Sequence, residues 1–367
     1  MIRVQRFTGP FEFSDVGVLR YRDPYGDAVD REYECVRWTS EELLPGEFDQ
    51  VIPSWAAETP PGCWIQVELR VAGHGSAAWS HRPGEQWFVT ARWTAGNDFP
   101  ADIHRCTVRG QHNVFGRVDA DTFLASVDNS PLAALQLRVS LLRPAGSADV
   151  ARLGSVTVLT SRGAGAETGT TSPYTRQAAI ELEVPARSQR VHAGTHPELG
   201  GGGDAWCSPT STAMLLGYLG DATDPRSDVV DAARATYDYS YRGTGNWAFN
   251  AAFAQSHGVD LYVSRLRDLR DVEPHLERER PVIASVTLNR KTMPEAGYDT
   301  EGHLLVIAGF SAEGDVIVYD PAAPTPEGAR RTYPRGAFER AWLPASASAG
   351  IAYVCGDEGA GPAGITG

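Results

Sequence analysis

The sequence predicts an all-β antiparallel sandwich domain followed by an α+β domain. Strand-like segments fill the first 161 residues without helical segments between them, and helical and strand-like segments mix beyond a stretch rich in Gly, Thr and Ser. Consecutive strands without helices are typical of sandwiches, while helices followed by hairpin-linked strands are typical of α+β domains. At 367 residues the chain also exceeds the usual size of one domain.

Apolar and polar residues alternate along the predicted strands of the first domain. Between Trp64 and Val71 the apolar residues fall at every second position, which is the pattern of a strand with one buried face. The strand-like segments are residues 64–71, 86–93, 135–142 and 155–161. We therefore predict a sandwich domain over residues 1–161 and a linker over residues 162–176.

The second domain is predicted over residues 177–358, and residues 359–367 are predicted to form a flexible tail. Helices are predicted at residues 207–219, 225–237 and 247–257, with two more within 267–279 and 336–343. Strands are predicted at residues 260–266, 281–288, 303–310, 315–321, 331–335 and 350–356. Because helices precede a run of hairpin-linked strands, the order favours an α+β domain over a parallel βαβ fold.

The composition argues against several classes of protein. With 42% hydrophobic and 22% charged residues, the chain has the composition of an ordinary soluble globular protein. Its net charge of -13 would repel phosphates, so no nucleic acid partner is expected. No segment reaches the roughly 18 apolar residues of a membrane span, and the first residues lack the apolar core of a secretory signal. We expect a cytoplasmic protein as written, or a secreted one if the start has been trimmed.

The cysteine and histidine patterns predict neither a disulfide framework nor a metal site. The five cysteines are few and scattered, and no C-x-x-C pair occurs. His192 and His196 form an H-x-x-x-H, but they lie in a Pro/Gly-rich segment rather than on a helix, so the two rings have no fixed common face. We therefore predict no metal.

Cys207 begins a predicted helix in the stretch DAWCSPTSTAMLLGYLG, residues 204–220. The free N–H groups and the positive dipole end of a helix N-terminus favour a thiolate over a thiol. Pro209 suits the first helical turn, where its missing N–H costs nothing. The alternative is a cysteine that only packs in the core, which is the commoner situation for a lone thiol.

A nucleophilic thiol needs a base, and His303 is the best placed of the nine histidines. It begins the apolar segment HLLVIAGF, and Asp320 ends the next apolar segment, VIVYD. In an antiparallel hairpin the start of one strand lies beside the end of the next, so Asp320 is expected within reach of the His303 ring. The alternative is a histidine that caps a strand and an ordinary Asp-Pro turn.

Four sequence segments, taken in their order along the chain, resemble those of a known family. They are LEVPARSQ at residues 182–189, DAWCSPTSTAML at 204–215, EGHLLVIAGF at 301–310 and VIVYDPA at 316–322. Together they resemble the peptidase C39-like family of papain-fold cysteine peptidases, over roughly residues 178–356. The resemblance implies a papain-like α+β fold with a Cys207, His303 and Asp320 triad. It also implies that Gln189 supplies the side chain of the oxyanion hole.

Two positions depart from the wider papain group. Its members commonly carry Cys-Gly-Pro, whereas Ser208 separates Cys207 from Pro209 here, and a side chain at that position is expected to narrow the site. Papain-fold enzymes keep the oxyanion glutamine closer to the cysteine, at a position that is Gly201 in this chain. The role of Gln189 therefore depends on the C39-like pattern, and a surface glutamine in a linker is the alternative.

The predicted substrate contacts surround the cysteine and the start of a later helix. They are Trp206, Ser208, Asn246 and Trp247. For Trp247 the alternative is simple packing at the start of its helix.

The sequence thus predicts a thiol-dependent enzyme that cleaves an amide or peptide bond, or transfers its acyl group, without a metal or organic cofactor. The same site serves both reactions, because an acyl-thioester passes to water or to an amine. The alternative is a protein that binds glycan or peptide through the sandwich, with the second domain as a catalytically degenerate scaffold. Six of the nine tryptophans lie in the first 100 residues. Exposed tryptophans stack on sugar rings, which is why a carbohydrate ligand is considered, although such rings more often fill a core.

Overall fold

The computed structural model describes residues 1–73, 87–129, 131–162, 171–176, 178–220, 228–343 and 349–356. The chain divides into two units. The first comprises Met1–Gly163 and Tyr237–Arg242, and the second comprises Ala164–Thr236 and Gly243–Gly367. The described strands form three antiparallel sheets, two in the first unit and one in the second, and helices occur beside the third sheet. The predicted dominance of antiparallel β-structure is therefore confirmed.

Most of the regular structure in the first unit is β-strand. The strands are β1 (Ile2–Thr8), β2 (Ser14–Arg22), β3 (Asp30–Thr39), β4 (Gln50–Glu58), β5 (Trp64–Ala72), β6 (Phe88–Trp93), β7 (Gly116–Asp119), β8 (Thr122–Ala125), β9 (Ala134–Pro144) and β10 (Arg152–Ser161). One sheet has the order β1-β10-β4-β8-β7 and the other the order β2-β3-β9-β5-β6.

The alternating pattern explains how β5 and β9 pack. Val67 and Leu69 lie opposite Val139 and Leu137, and all four side chains are fully buried. Residues directly opposite each other in an antiparallel pair point to the same face. The two strands therefore present one continuous apolar face to the core.

Several tryptophans of the first unit lie in its core. The fully buried ones are Trp55, Trp64 and Trp93. Trp38 and Trp87 are half-buried, and the guanidinium groups of Arg70 and Arg138 lie 4.8 and 4.2 Å from the centre of the Trp87 ring. Trp79 lies outside the described residues. The three buried rings therefore serve the core rather than a ligand surface.

Tyr237–Arg242 belong to the first unit, although they fall within the predicted second domain. The Asp238 carboxylate is fully buried and accepts hydrogen bonds from the backbone N–H groups of Thr107 and Ser240, at 3.2 and 2.9 Å. The Tyr239 ring packs edge-on against His104, with 4.4 Å between ring centres. These contacts tie the segment to loops of the first unit.

The second unit combines helices with one sheet. Its helices are α1 (Cys207–Leu219), α2 (Val229–Thr236), α3 (Trp247–Ser256), α4 (Glu273–Glu277) and α5 (Arg335–Trp342). Its strands are β11 (Ile180–Glu181), β12 (Leu261–Arg265), β13 (Val282–Leu288), β14 (Thr300–Phe310), β15 (Val316–Tyr319), β16 (Arg330–Tyr333) and β17 (Ile351–Cys355). The sheet order is β12-β17-β13-β14-β15-β16, and β11 pairs with β14. None of the helices in the described ranges is long and apolar enough to cross a membrane.

The end of the predicted linker is attached to the second unit. The backbone N–H of Ser172 donates to the Glu339 carboxylate at 2.8 Å, and the Arg335 guanidinium donates to the Ser172 carbonyl at the same distance. Both charged residues belong to α5, and Arg335 also forms a buried ion pair with Glu273 at 2.9 Å. Residues 163–170 of the predicted linker lie outside the described residues.

Candidate active site

Cys207 is the first residue of α1 and lies at its N-terminus. Pro209 occupies the first turn, and every residue from Ser208 to Gly217 is buried. The Ser211 hydroxyl donates to the Leu304 carbonyl of β14 at 3.1 Å, so the helix is bonded to the sheet beside it. A helix that is buried on all sides holds its first residue in a fixed position.

Cys207 is also the accessible cysteine of the chain. All five cysteines lie in the described residues and none forms a disulfide. Cys207 is half-buried, whereas the other four are buried. Burial raises the pKa of the Cys35, Cys63, Cys106 and Cys355 thiols, which keeps them protonated and unreactive.

The pKa of Cys207 moves in the opposite direction. Burial of the sulfur favours the neutral thiol, but a hydrogen bond with the His303 side chain and the charge of that imidazolium favour the thiolate. Backbone hydrogen bonds at Leu304 and Ser208 act in the same direction as His303. The net result is a Cys207 pKa below its ordinary value, which increases the fraction of reactive thiolate at a given pH.

His303 connects the thiol to a carboxylate. Its Nε2 lies 2.9 Å from Oδ1 of Asp320, and Asp320 is fully buried at the turn after β15. A carboxylate only accepts hydrogen bonds, so Nε2 carries the proton, and Nδ1 is the ring nitrogen that is not bonded to Asp320. Burial alone would lower the pKa of His303, but the Asp320 charge and hydrogen bond outweigh it and raise that pKa well above its ordinary value. The charged imidazolium is therefore favoured beside the thiolate.

The Asp320 carboxylate is held by a full set of donors. Besides His303, the backbone N–H of Ala322 donates to Oδ1 at 2.9 Å. Oδ2 accepts from the hydroxyls of Tyr298 and Tyr333 at 2.8 and 3.0 Å. Burial alone would raise the pKa of Asp320, but His303 and these donors outweigh it and lower the pKa well below its ordinary value.

Two tyrosines and an arginine near Asp320 were missed by the sequence analysis. Tyr333 lies on the predicted strand 331–335, and Arg331 of the same strand has its Nη1 3.7 Å from Oδ2 of Asp320. Alternation along β16 was the available signal, because residues two apart on a strand point to the same face. Tyr298 lies in the turn before β14, where no periodic pattern indicates a direction.

Gln189 is tied to the turn that follows Asp320. Its backbone N–H donates to the Pro321 carbonyl at 2.8 Å, and the Ser188 hydroxyl donates to the Ala323 carbonyl at 2.5 Å. The Gln189 side chain is 2% exposed, and its amide oxygen has no hydrogen-bond partner among the described residues. Gln189 is therefore a buried residue anchored beside the His303–Asp320 pair rather than a surface glutamine.

Trp206 and Ser208 are buried and turned inward. The Trp206 indole N–H donates to the Leu199 carbonyl at 3.0 Å, and its ring is fully buried. The Ser208 side chain is also fully buried, and its hydroxyl bonds the Tyr353 hydroxyl of β17 at 2.8 Å. The expected narrowing of the site by Ser208 therefore has no basis in this arrangement, because its side chain faces the sheet.

Asn246 and Trp247 form the start of α3. Asn246 is the N-cap residue, with its side-chain oxygen accepting from the Phe249 N–H at 3.0 Å, and it is 2% exposed. Such a cap satisfies an N–H group that the helix itself leaves without a partner. Trp247 is half-buried, so part of its ring meets solvent.

A polar network joins α3 to the segment before Cys207. The Thr244 hydroxyl donates to the Ala205 carbonyl at 2.9 Å, and the Asn250 side chain donates to the Thr244 carbonyl at 2.8 Å. The Thr212 hydroxyl of α1 lies 3.3 Å from the Asn250 side-chain oxygen. These buried bonds fix both sides of Cys207 along the chain, and no local pattern in the sequence pointed to them.

The glycine-rich segment 200–203 passes close to the preceding loop. Gly202 has a φ of +65°, and a Cβ on it would lie 2.1 Å from the His192 carbonyl oxygen. Only glycine fits such an approach. The His192 and His196 rings lie 5.6 and 5.9 Å from the Trp206 ring centre. Within the described residues, no group of three or more His, Cys, Asp and Glu side chains is arranged to hold a metal ion.

Comparison with known families divides the chain in two. Residues 7–161 match the peptidase C39 N-terminal domain, and residues 181–350 match the peptidase C39-like family. The second match contains the four quoted segments, from residue 182 to residue 322. No curated protein matches the chain.

Among solved structures, the chain resembles a protein from Bacillus anthracis assigned as a C39-like peptidase. The two share 17% sequence identity with a TM-score of 0.35, and the alignment covers 49% of this chain and 98% of the other.

Proposed function

Because the chain belongs to the peptidase C39-like family over residues 181–350, we propose that it is a cysteine peptidase acting on a peptide or amide substrate through Cys207, His303 and Asp320. The observation that carries the proposal is the 2.9 Å hydrogen bond between the His303 imidazole and the buried Asp320 carboxylate, together with the lowering of the Cys207 pKa by His303. Nucleophilic catalysis by a thiol uses such groups, in which a base activates the nucleophile and a third group orients the base.

Acylation begins from the Cys207 thiolate and the His303 imidazolium. The Cys207 thiolate attacks the carbonyl carbon of the substrate, a C–S bond forms, and the carbonyl oxygen becomes an oxyanion. His303 then gives its Nδ1 proton to the amide nitrogen as the C–N bond breaks and the amine leaves. Asp320 holds the imidazole by Nε2 throughout, so that Nδ1 stays directed at the reacting atoms.

Deacylation restores the enzyme. Water attacks the acyl-thioester while neutral His303 accepts its proton at Nδ1, and the C–S bond breaks to release the acid and regenerate the thiolate. An amine in place of water gives a new amide, which is the acyltransferase outcome of the same chemistry. The ratio of the two products depends on which nucleophile reaches the thioester.

Gln189 is proposed as the side chain that binds the oxyanion, together with the backbone N–H of Cys207. Support comes from its anchoring to Pro321, the residue after Asp320, and from its burial. Of the predicted substrate contacts, we retain Trp247, because its ring is partly exposed. A side-chain donor in an oxyanion hole contributes on the order of 3 kcal/mol to transition-state binding.

The finer architecture is part of the proposal. We propose that the second unit is papain-like, with α1 carrying the nucleophile and β14 carrying the base, which the Ser211–Leu304 hydrogen bond between α1 and β14 supports. We also propose that the two sheets of the first unit form a sandwich. The proposed domain limits are residues 1–161 and 177–358, and the family matches over residues 7–161 and 181–350 support them.

The test compares Cys207→Ala and His303→Ala with the unmodified chain on a library of fluorescence-quenched peptides. Both variants are expected to lose hydrolysis, while Cys355→Ala, which changes a buried cysteine of the same unit, retains it. Added hydroxylamine should divert part of the product to a hydroxamate if an acyl-thioester forms. Hydrolysis by Cys207→Ala at the rate of the unmodified chain would contradict the proposal.

A further inference from the structure

Tyr298 contacts both members of the His303–Asp320 pair. Its hydroxyl donates to Oδ2 of Asp320 at 2.8 Å, and its ring meets the His303 imidazole edge-on, with 5.6 Å between ring centres and 80° between ring planes. Tyr333 donates to the same oxygen at 3.0 Å. Tyr333 is fully buried, whereas Tyr298 is half-buried, so part of Tyr298 meets solvent.

The turn that carries Tyr298 is anchored on both sides of it. Met293 before it is fully buried, and the Ala296 carbonyl accepts from the Arg331 guanidinium at 2.5 Å. Asp299 after it forms an ion pair with Arg290 at 2.9 Å. The ring is thus held in place by its own hydroxyl and by the backbone on either side.

We propose that Tyr298 is a positioning residue that holds the His303 imidazole against Asp320 and excludes water from the hydrogen bond between them. The proposal rests on the proposed function, since it assigns Tyr298 a part in preparing the Cys207–His303 pair. The ring limits rotation of the imidazole, so that Nε2 stays on Asp320 while Nδ1 stays on the sulfur. Excluding water also strengthens the charge interaction, because the local dielectric is lower than that of water.

The protonation state of Tyr298 fits this role. Burial and the neighbouring Asp320 carboxylate raise the pKa of Tyr298, so its hydroxyl stays protonated and remains a donor. The ionisable and charged groups around His303 come from several elements. They are Cys207 of α1, Asp320 after β15, Tyr298 before β14, and Arg331 and Tyr333 of β16.

The test measures the pKa of His303 by NMR in the Cys207→Ser variant, in which the thiol is absent. The measurement needs no substrate. Loss of the ring in Tyr298→Ala is expected to bring that pKa down toward about 6.5 by at least one unit, because water then weakens the Asp320 interaction. Tyr298→Phe keeps the ring and is expected to stay within about half a unit of the parent. Tyr333→Phe removes a hydroxyl that donates to the same Asp320 oxygen but leaves the ring contact of Tyr298 with the imidazole intact. The His303 pKa in this variant is expected to shift as little as in Tyr298→Phe.

The same variants with Cys207 restored are then alkylated with iodoacetamide. Tyr298→Ala should react on the order of 10- to 100-fold more slowly near neutral pH, and Tyr298→Phe should recover most of the rate. If Tyr298→Ala unfolds, Tyr298→Leu replaces it, because Leu fills the space without an aromatic edge. An unchanged His303 pKa in Tyr298→Ala or Tyr298→Leu would overturn the inference, and so would a Tyr298→Phe variant as impaired as they are.

Failure of the proposed function looks different. In that case the unmodified chain and His303→Ala would be alkylated at Cys207 at equal rates, while the NMR comparison would still report whether Tyr298 holds His303. The two results are therefore separable.

Discussion

Nε2 of His303 lies 2.9 Å from Oδ1 of Asp320, and neither side chain has more than 5% of its surface exposed. A charged pair removed from water in this way is stable only when each member has further partners. Asp320 has them in Tyr298, Tyr333 and the Ala322 backbone, and His303 has the Cys207 sulfur. The pair therefore acts as one unit, and its loss should be visible in reactivity and in stability.

Replacing His303 should change how the reactivity of Cys207 depends on pH. The imidazolium lowers the pKa of Cys207, so His303→Ala is expected to move the acid limb of alkylation up toward the ordinary thiol pKa of about 8.5. At pH 6 the rate should fall, because the fraction of thiolate at that pH decreases as the pKa rises. Iodoacetamide kinetics followed by peptide mass spectrometry measure it. Superimposable profiles for the two proteins would show that His303 does not influence the thiol.

The His303–Asp320 pair should stabilise the fold most strongly at mildly acidic pH. The pKa of His303 is raised, so its contribution is complete below the unfolded value of about 6.5 and is lost as the pH rises through the folded value. The pKa of Asp320 is lowered, so its contribution is present above about 3.9 and is lost as the pH falls through the folded value. Both contributions are therefore complete between about pH 4 and 6.5.

Urea unfolding of Cys207→Ser with and without His303→Gln tests this, because the Ser background removes the titration of the thiol. The free energy of unfolding lost through His303→Gln should be larger at pH 5 than at pH 9 by more than about 1 kcal/mol. A loss that is the same at both pH values would mean that the pair contributes no proton-linked stability.

Removing the Gln189 side chain should impair catalysis without disturbing the thiol. Gln189→Ala is expected to lower kcat/KM by about 100- to 1,000-fold, as the loss of an oxyanion donor does in other enzymes. Alkylation of Cys207 by iodoacetamide forms no oxyanion, so its rate should stay within about threefold of the parent. The fold should tolerate the change well. The buried Gln189 amide oxygen has no hydrogen-bond partner among the described residues, so its removal leaves no donor there unsatisfied. Equal losses in both assays would instead indicate a general disturbance of the site.

Local patterns in the sequence predict the elements that carry the site. The period-2 alternation of residues 64–71 corresponds to β5, and the helix expected at Cys207 corresponds to α1. The contact between His303 and Asp320 could be predicted for a similar reason. Strands β14 and β15 are adjacent and antiparallel, and Val306 pairs with Tyr319. With this register, Asp320, which follows β15, lies beside the first part of β14.

Contacts between segments that are distant in the sequence cannot be predicted from such local patterns. Tyr298 lies in a turn, so nothing in its neighbours indicates that it reaches Asp320. Asp238 follows α2 in the second half of the chain, yet it binds Thr107 of the first unit, a partner 131 positions away. The sequence predicts Ser208 as a substrate contact because it follows Cys207, although one helical step of about 100° directs adjacent side chains to different sides.

The burial of Ser208 leads to a final prediction. Its hydroxyl bonds Tyr353 of β17 at 2.8 Å, and both side chains are fully buried. Ser208→Ala and Tyr353→Phe should each lower the free energy of unfolding by about 1 to 3 kcal/mol, because each removes one partner from a buried hydrogen bond. The double variant should cost less than the sum of the two, since the bond between the two hydroxyls is lost in each single variant and is counted twice in the sum. Urea unfolding of the four proteins measures the coupling. KM should be unchanged in Ser208→Ala, whereas a raised KM with unchanged stability would mean that Ser208 faces the substrate after all.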